Sequence, residues 1–195
     1  MAGAARRVGA ETSATRARIV TATVDLIRDE GYAAASTRRV AARAGLKPSL
    51  VHYYFPTTDD LLLEVCRQGA EDSDRMIEEA LASADPVRAL WRFFVDTSRT
   101  AMSVEFIALA NHRPAVREKM AEHSFAMRKR QVEILEHLLG DRMKVVEGFD
   151  PAGLLVVLAG IGRCIVMEEN LGVDAGHEQA RAIVEGWLDR LSPDS

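Results

Sequence analysis

Two cysteines in 195 residues are too few for a disulfide framework. Cys66 and Cys164 lie far apart with no metal-ligand spacing around either, so a reduced compartment is the simplest inference, and each thiol reads as a small hydrophobe. Aromatic residues make up only 6% of the chain, and the five histidines form no ligand-spaced cluster. A glycine-rich phosphate loop, a nucleophile motif and an H-E-x-x-H pattern are all missing, which argues against the common catalytic plans and gives no reason to expect a cofactor or metal. Long apolar runs are missing too. The longest, 151–162, stops at Arg163, short of the ~20 residues that a membrane span needs. Residues 1–14 carry Arg6 and Arg7 with no apolar stretch behind them, so they are not a secretory signal. No segment alternates in the manner of a strand. A cytoplasmic protein without a membrane partner is expected.

What is present is ordinary in amount and uneven in placement. With 48% apolar and 28% charged residues the chain can bury one sizeable core or two small ones. Net charge is −4, yet residues 1–55 hold nine basic side chains (eight Arg and Lys47) against four acidic ones, an excess of five positive charges on a body left at −9. A basic end on an acidic body suits a protein that touches phosphate with one end only.

Within that basic end, residues 36–55 predict two short helices meeting at a glycine. Ser36 and Thr37 are cap residues for a helix with Val40, Ala41 and Ala44 inward, and Gly45 suits the left-handed conformation that ends it. After a three-residue turn, Pro48 fits the first position of a second helix, and Leu50, Val51 and Tyr54 are spaced to pack it back on the first. Lys47, Ser49, His52 and Tyr53 are left outward. This is a helix-turn-helix, whose second helix enters the major groove, so those outward residues are candidate readers of bases and phosphates, with Arg38 and Arg39 beside them.

Around this stretch the chain predicts helices throughout. Residues 1–14 are taken as a disordered basic arm, whose Arg6 and Arg7 suit either a minor groove or a solvated tail. A helix from about Thr15 to Glu30 presents Ile19, Val20, Thr23, Leu26 and Ile27 on one face and stops at Gly31. Thr57 with Asp60 three residues on is a capping pattern for a helix to about Ala82. Asp85-Pro86 opens the next helix, with Leu90, Trp91, Phe94 and Val95 inward. Further helices are expected over 103–111, from Pro114 to near Gly140, from Pro151 to about Asn170, and from Asp174 to just before Ser192. The fold class is all-α, about nine helices: a helix-turn-helix domain over 15–60 and a helical ligand-binding and dimerisation domain over 61–195.

Thr37-x-x-Val40-Ala41-x-x-Ala44-Gly45-Leu46, then Val51-His52-Tyr53-Tyr54-Phe55, then Pro56-Thr57 and Leu61, resembles in order and spacing the TetR family of bacterial one-component transcriptional regulators. The resemblance covers roughly residues 15–65. It implies a homodimer on a near-palindromic double-stranded DNA operator, with the helix from Pro48 to Tyr53 in the major groove. It also implies a C-terminal helical domain that binds a small molecule and dimerises through its last two long helices. Thr37 lies where the family caps its second helix and bonds a phosphate, and His52 where it most often has a phosphate-contacting tyrosine. Two residues depart from the pattern. Lys47 replaces the usual small hydroxyl cap of the recognition helix, and Thr58 replaces a lysine that touches phosphate.

Beyond residue 65 the reading rests on residue types alone. Trp91, Phe94, Met102, Phe106, Phe125 and Met167 suit the lining of a cavity for a largely apolar molecule, and equally a plain core. Asn111, His112, Arg163 and Glu168 are polar groups that either orient a ligand, cap helices or pair within a dimer core. Gly160 permits close helix approach, and with Leu155, Arg163, Val184, Trp187 and Leu188 it makes a two-fold interface of the last two helices plausible, against burial within one chain. Two other functions stay open: a helical enzyme using His112 and Glu168, and a DNA-binding dimer that senses nothing. In the expected mechanism, ligand near Trp91, Phe106 and Phe125 shifts the 57–82 helix and with it the spacing of two recognition helices, about 34 Å apart on DNA.

Overall fold

The computed structural model describes residues 2–140 and 150–191, with the backbone alone for 2–13, 98, 99 and 138. Among the described residues the fold is all-helical: α1 Ala2–Glu30, α2 Thr37–Ala44, α3 Pro48–Tyr54, α4 Thr58–Leu81, α5 Pro86–Phe94, α6 Thr97–Ala110, α7 Pro114–Leu139, α8 Pro151–Glu169 and α9 His177–Leu191, with a 3-10 turn at Tyr32–Ala34. The chain divides into two compact units, Met1–Gly69 with Val104–Met120, and Ala70–Ser103 with Ala121–Ser195. All three division points fall inside helices, so α4, α6 and α7 each contribute to both units.

Most boundaries follow cap chemistry. Thr57 and Asp60 form a reciprocal capping box: Thr57 N donates to Asp60 Oδ2 at 2.9 Å, and Asp60 N donates to Thr57 Oγ1 at 3.1 Å. Asp85 accepts from Arg88 N at 3.1 Å and Asp150 from Gly153 N at 2.5 Å, each with proline at the next position. Three helices start elsewhere than expected. α1 begins at Ala2 rather than about Thr15, because alanine and arginine sustain a helix without an apolar stripe. α6 begins at Thr97 rather than Ser103, where no Asp-Pro pair marks the start. α9 begins at His177, since Asp174 opens a turn (His177 N to Asp174 O, 3.1 Å) ahead of the helix.

The N-terminal unit buries Ile19, Val20, Thr23, Leu26 and Ile27 of α1 together with Val40, Ala41 and Val51 of the two short helices. Thr23, wholly buried, returns its hydroxyl proton to Ile19 O at 2.8 Å, so it costs the core no unpaired donor. In the C-terminal unit a larger cluster is drawn from every helix that enters it except α6, including Ile77, Leu90, Trp91, Leu135, Leu155, Leu158, Ile165, Val184 and Leu188. α8 is long and apolar enough by length and composition to cross a membrane, with a mean hydropathy of 1.7 over its best window. Seven of its residues are buried in the chain itself, which accounts for that apolarity. Gly162 is where α8 meets α5: a Cβ there would stand 2.6 Å from Phe94 O, a separation only glycine permits.

Candidate nucleic-acid interface

α2 ends as the sequence predicts. Gly45 takes φ 65° and ψ 38°, Gly45 N donates to Ala42 O at 3.2 Å, and Leu46 N donates to Ala41 O at 2.9 Å, the two bonds of a Schellman cap. Arg18 of α1 adds a bond from Nη2 to Ala44 O at 2.7 Å. Three residues later α3 starts at Pro48. Lys47 stands in its N-cap position in extended conformation and makes no side-chain cap, as an ammonium cannot accept an N–H. Ser36 likewise occupies the N-cap position of α2 without a side-chain cap bond, although a hydroxyl was expected to supply one.

The polar face of this motif is open. Lys47, Pro48, Ser49, His52 and Tyr53 are all exposed, Tyr53 at 76%, while Val51 beneath them is buried. Tyr53 is held edge-on by half-buried Tyr54, with ring centroids 5.3 Å apart at 84°. Thr37 and Thr58 are half-buried at the first positions of α2 and α4. The arginines divide. Arg39 is paired with Glu30, and both terminal nitrogens of Arg43 lie 2.9 Å from Asp29 Oδ2. Arg38 and Lys47 are exposed and make no ion pair among the described residues. The side chains of Arg6 and Arg7 lie outside the described residues.

An ion triad missed by sequence reasoning fixes the motif's frame. Glu64 of α4 is only 6% exposed and accepts from Arg67 (Nε 2.9 Å, Nη2 2.7 Å) and from Arg16 of α1. Arg16 also lies 5.0 Å over the ring of buried Phe55, the residue that ends α3. Arg67 foremost, and then Arg16, pull the Glu64 carboxyl down to about 2, so it stays charged in its buried place. The signal was present: Glu64 falls on the apolar stripe of Leu61, Leu62 and Val65, and a carboxylate there requires cations. The same unit holds Tyr32 N to Glu105 Oε2 at 3.0 Å and Arg113 to Asp59 at 2.5 Å.

The residues expected to line a ligand cavity are divided between the two units. Phe106, Asn111 and His112 belong to the N-terminal unit, and the other seven to the C-terminal one. Trp91 is core; Phe94 and Met102 are half-buried; Phe125 is 77% exposed and Met167 48%. Phe125 is thereby corrected from cavity lining to surface, since α7 turns that position away from its buried face. Glu168 is engaged by His177 of α9, Nε2 to Oε2 at 2.7 Å, and that bond lowers its carboxyl. Of the expected interface, Leu155, Val184 and Leu188 are corrected to interior positions, filled by the chain's own core and unable to present a surface. Gly160 is exposed, and Arg163 and Trp187 are half-buried.

This geometry meets its counterpart in known proteins. Residues 19–65 match the profile of bacterial regulatory proteins, tetR family. The chain carries a tetR-family N-terminal domain. Its fold over nearly the whole length is similar to that of tetR-type transcriptional regulators. A TetR transcription regulator from Haloarcula marismortui shares 21% identity, with 92% of this chain and 98% of that one covered, at a TM-score of 0.70. A protein from Saccharomonospora viridis described as a transcriptional regulator, solved in complex with choline, shares 20%, with 89% and 96% covered, at 0.71. The multidrug binding protein EbrR, solved with imidazole, shares 25%, with 91% and 94% covered, at 0.62. No curated protein matches the chain.

Proposed function

We propose that this protein is a ligand-responsive transcriptional regulator: a homodimer that represses from a near-palindromic operator and leaves it when a small molecule binds the C-terminal unit. The observation that carries the reading is the outward face of α3, where Lys47, Ser49, His52 and Tyr53 stand exposed on a helix whose opposite side is buried in a tetR-family motif. A helix so mounted can enter a major groove, with Lys47 and Arg38 free for phosphate and Tyr53 and His52 for backbone or base edges. Arg39 and Arg43 reach phosphate by exchanging their surface acid partners, at small cost because exposed ion pairs are worth little. The choline and imidazole complexes of two neighbours support a small-molecule site on this fold.

The dimer reading rests on a face of the last two helices that the chain leaves open. Val156, Gly160, Cys164 and Met167 recur at helical spacing along α8 and are exposed, as are Leu171 just past its end and Ile183 of α9. A second copy on the two-fold axis buries this stripe against its equivalent.

The test is binding of the purified protein to a labelled fragment of its own upstream DNA, followed by fluorescence anisotropy across a salt series. Specific, salt-dependent binding is expected, with Lys47→Ala and Tyr53→Ala each weakening it about tenfold and leaving the melting temperature unchanged. Binding that neither variant alters would remove α3 as the reading element. Operator affinity unchanged by any ligand that binds the protein would reduce the reading to a regulator that senses nothing.

A further inference from the structure

The C-terminal unit contains donors that its own frame leaves unused. Gln131 of α7 is 1% exposed, yet its Nε2 has no hydrogen-bond partner among the described residues. One turn earlier on the same helix, half-buried Arg128 has its Nε shut off from solvent and likewise without a partner. Half-buried Arg163, on α8, donates Nε to Ala159 O at 3.1 Å and makes no ion pair among the described residues. The two guanidiniums are close enough that, after burial, the charge of Arg163 is the next influence pulling Arg128 down.

Nearby acids do not answer this charge. Glu168 is held by His177 at 2.7 Å and Glu169 by Arg181 at 2.8 Å, both toward α9, while Glu133 on α7 lies 3.9 Å from Lys129. Paired cations with a buried amide donor form a site built of donors, and its complement is a group with several acceptor oxygens and negative charge. On the same helix, Leu135 belongs to the unit's apolar core and Met127 and Val132 pack against it. Unpaired buried donors are costly, and structures retain them where something else supplies the acceptor.

We infer that Arg128, Gln131 and Arg163 form the anion-binding end of a ligand site between α7 and α8, and that the ligand is a small organic anion with an apolar body. This rests on the reading of the C-terminal unit as ligand-binding, and it refines the largely apolar effector expected from sequence. The oxyanion is either a carboxylate or a phosphate monoester, and both present the acceptor geometry that guanidinium matches.

The experiment uses the full chain without DNA, titrated calorimetrically and melted with octanoate, octyl phosphate and the neutral octanamide. At least one anion binds about tenfold or more tighter than the amide. Arg128→Gln and Arg163→Gln each lose about tenfold or more of that anion's affinity while keeping the amide's. Ligand-free Arg128→Gln melts no lower than the parent, because it removes a charge that has no counter-ion among the described residues. Which anion binds better identifies the oxyanion. The proposal is overturned if the amide binds as well as both anions, if neither anion raises the melting temperature at millimolar concentration, or if both Gln variants bind the better anion as the parent does. It is also overturned if the Gln variants sediment as monomers where the parent is a dimer, since an acid of a second copy would then fill the site. Operator binding separates the two readings. An anion that binds here without changing operator affinity keeps the site and removes its regulatory role, whereas a neutral ligand that releases operator from parent and Gln variants alike keeps the regulator and removes the anion site.

Discussion

The two units place their polar chemistry on opposite sides of their cores. In the N-terminal unit the charged groups are either on the surface or answered: Arg39 and Arg43 meet Glu30 and Asp29, and buried Glu64 meets two arginines. Its exposed polar face is what the packed side of α3 leaves over. In the C-terminal unit the surface of α8 is apolar, and the unanswered donors of Arg128 and Gln131 lie within. A face turned to solvent is specified by one helix's own periodicity. An interior site is specified only when several helices meet, so the first kind of function is local in sequence and the second is not.

The largest test of this contrast is Glu64. Glu64→Gln leaves Arg16 and Arg67 without their shared acid and is expected to lower stability by about 2–3 kcal/mol, less than for a fully enclosed pair because both arginines reach solvent. Its acid linkage has a definite sign. The carboxyl is held from about 4.5 down to about 2, so its contribution is complete above the ordinary carboxylate range and is lost as pH falls through that window. Denaturant melts from neutral pH to pH 3 should therefore show a steeper decline for the parent than for the variant. Equal slopes would mean that the triad is a surface feature.

Next in size is a pair on α8. Gly162→Ala drives a methyl to 2.6 Å from the α5 backbone and is expected to cost about 1–3 kcal/mol, more than the ~0.5–1 kcal/mol that alanine adds in a helix. Gly160→Ala meets nothing within 4 Å among the described residues and should be stable or slightly stabilised as a monomer, and impaired only where a second copy sits. Nothing in the sequence separates these two glycines. Both sit in one apolar run, and only the crossing of α5 tells which is needed inside. The same limit explains the interface residues: Leu155 and Val156 are adjacent and chemically alike, and one is core while the other is open.

The helix-turn-helix was legible for the converse reason. Gly45, Pro48 and the Val40-Ala41 and Val51 spacing each act within a few residues, and the structure builds the cap and turn that they specify. A smaller expected effect tests such local chemistry. Asp60→Ala removes the acceptor for Thr57 N and should cost about 0.5–2 kcal/mol, measured by denaturant melting and offset where Asp59 still interacts with the helix dipole. What was not legible in this unit is the Arg16 half of the Glu64 triad, since that pairing required knowing that α1 passes beside α4.

The smallest effect is one of rate, and it reports on the open face of α8. Burial pushes the Cys66 thiol up to about 12, so at neutral pH it carries almost no thiolate and should be labelled by a thiol reagent only on unfolding. Cys164 is exposed, yet its thiol is also raised, by desolvation first and then by the negative charge of the Glu168 carboxylate, which also accepts a hydrogen bond from it. Glu168→Gln removes that negative charge, lowers the thiol toward its ordinary value, and should speed Cys164 labelling at a fixed pH. Cys164 lies between Gly160 and Met167 in the apolar stripe, so a second copy seated there would shield it. Its labelling rate in the parent protein is therefore expected to fall as protein concentration rises, while Cys66 stays silent throughout. A rate independent of concentration across the range where sedimentation shows dimer would place the two-fold interface elsewhere and leave the α8 stripe without an occupant.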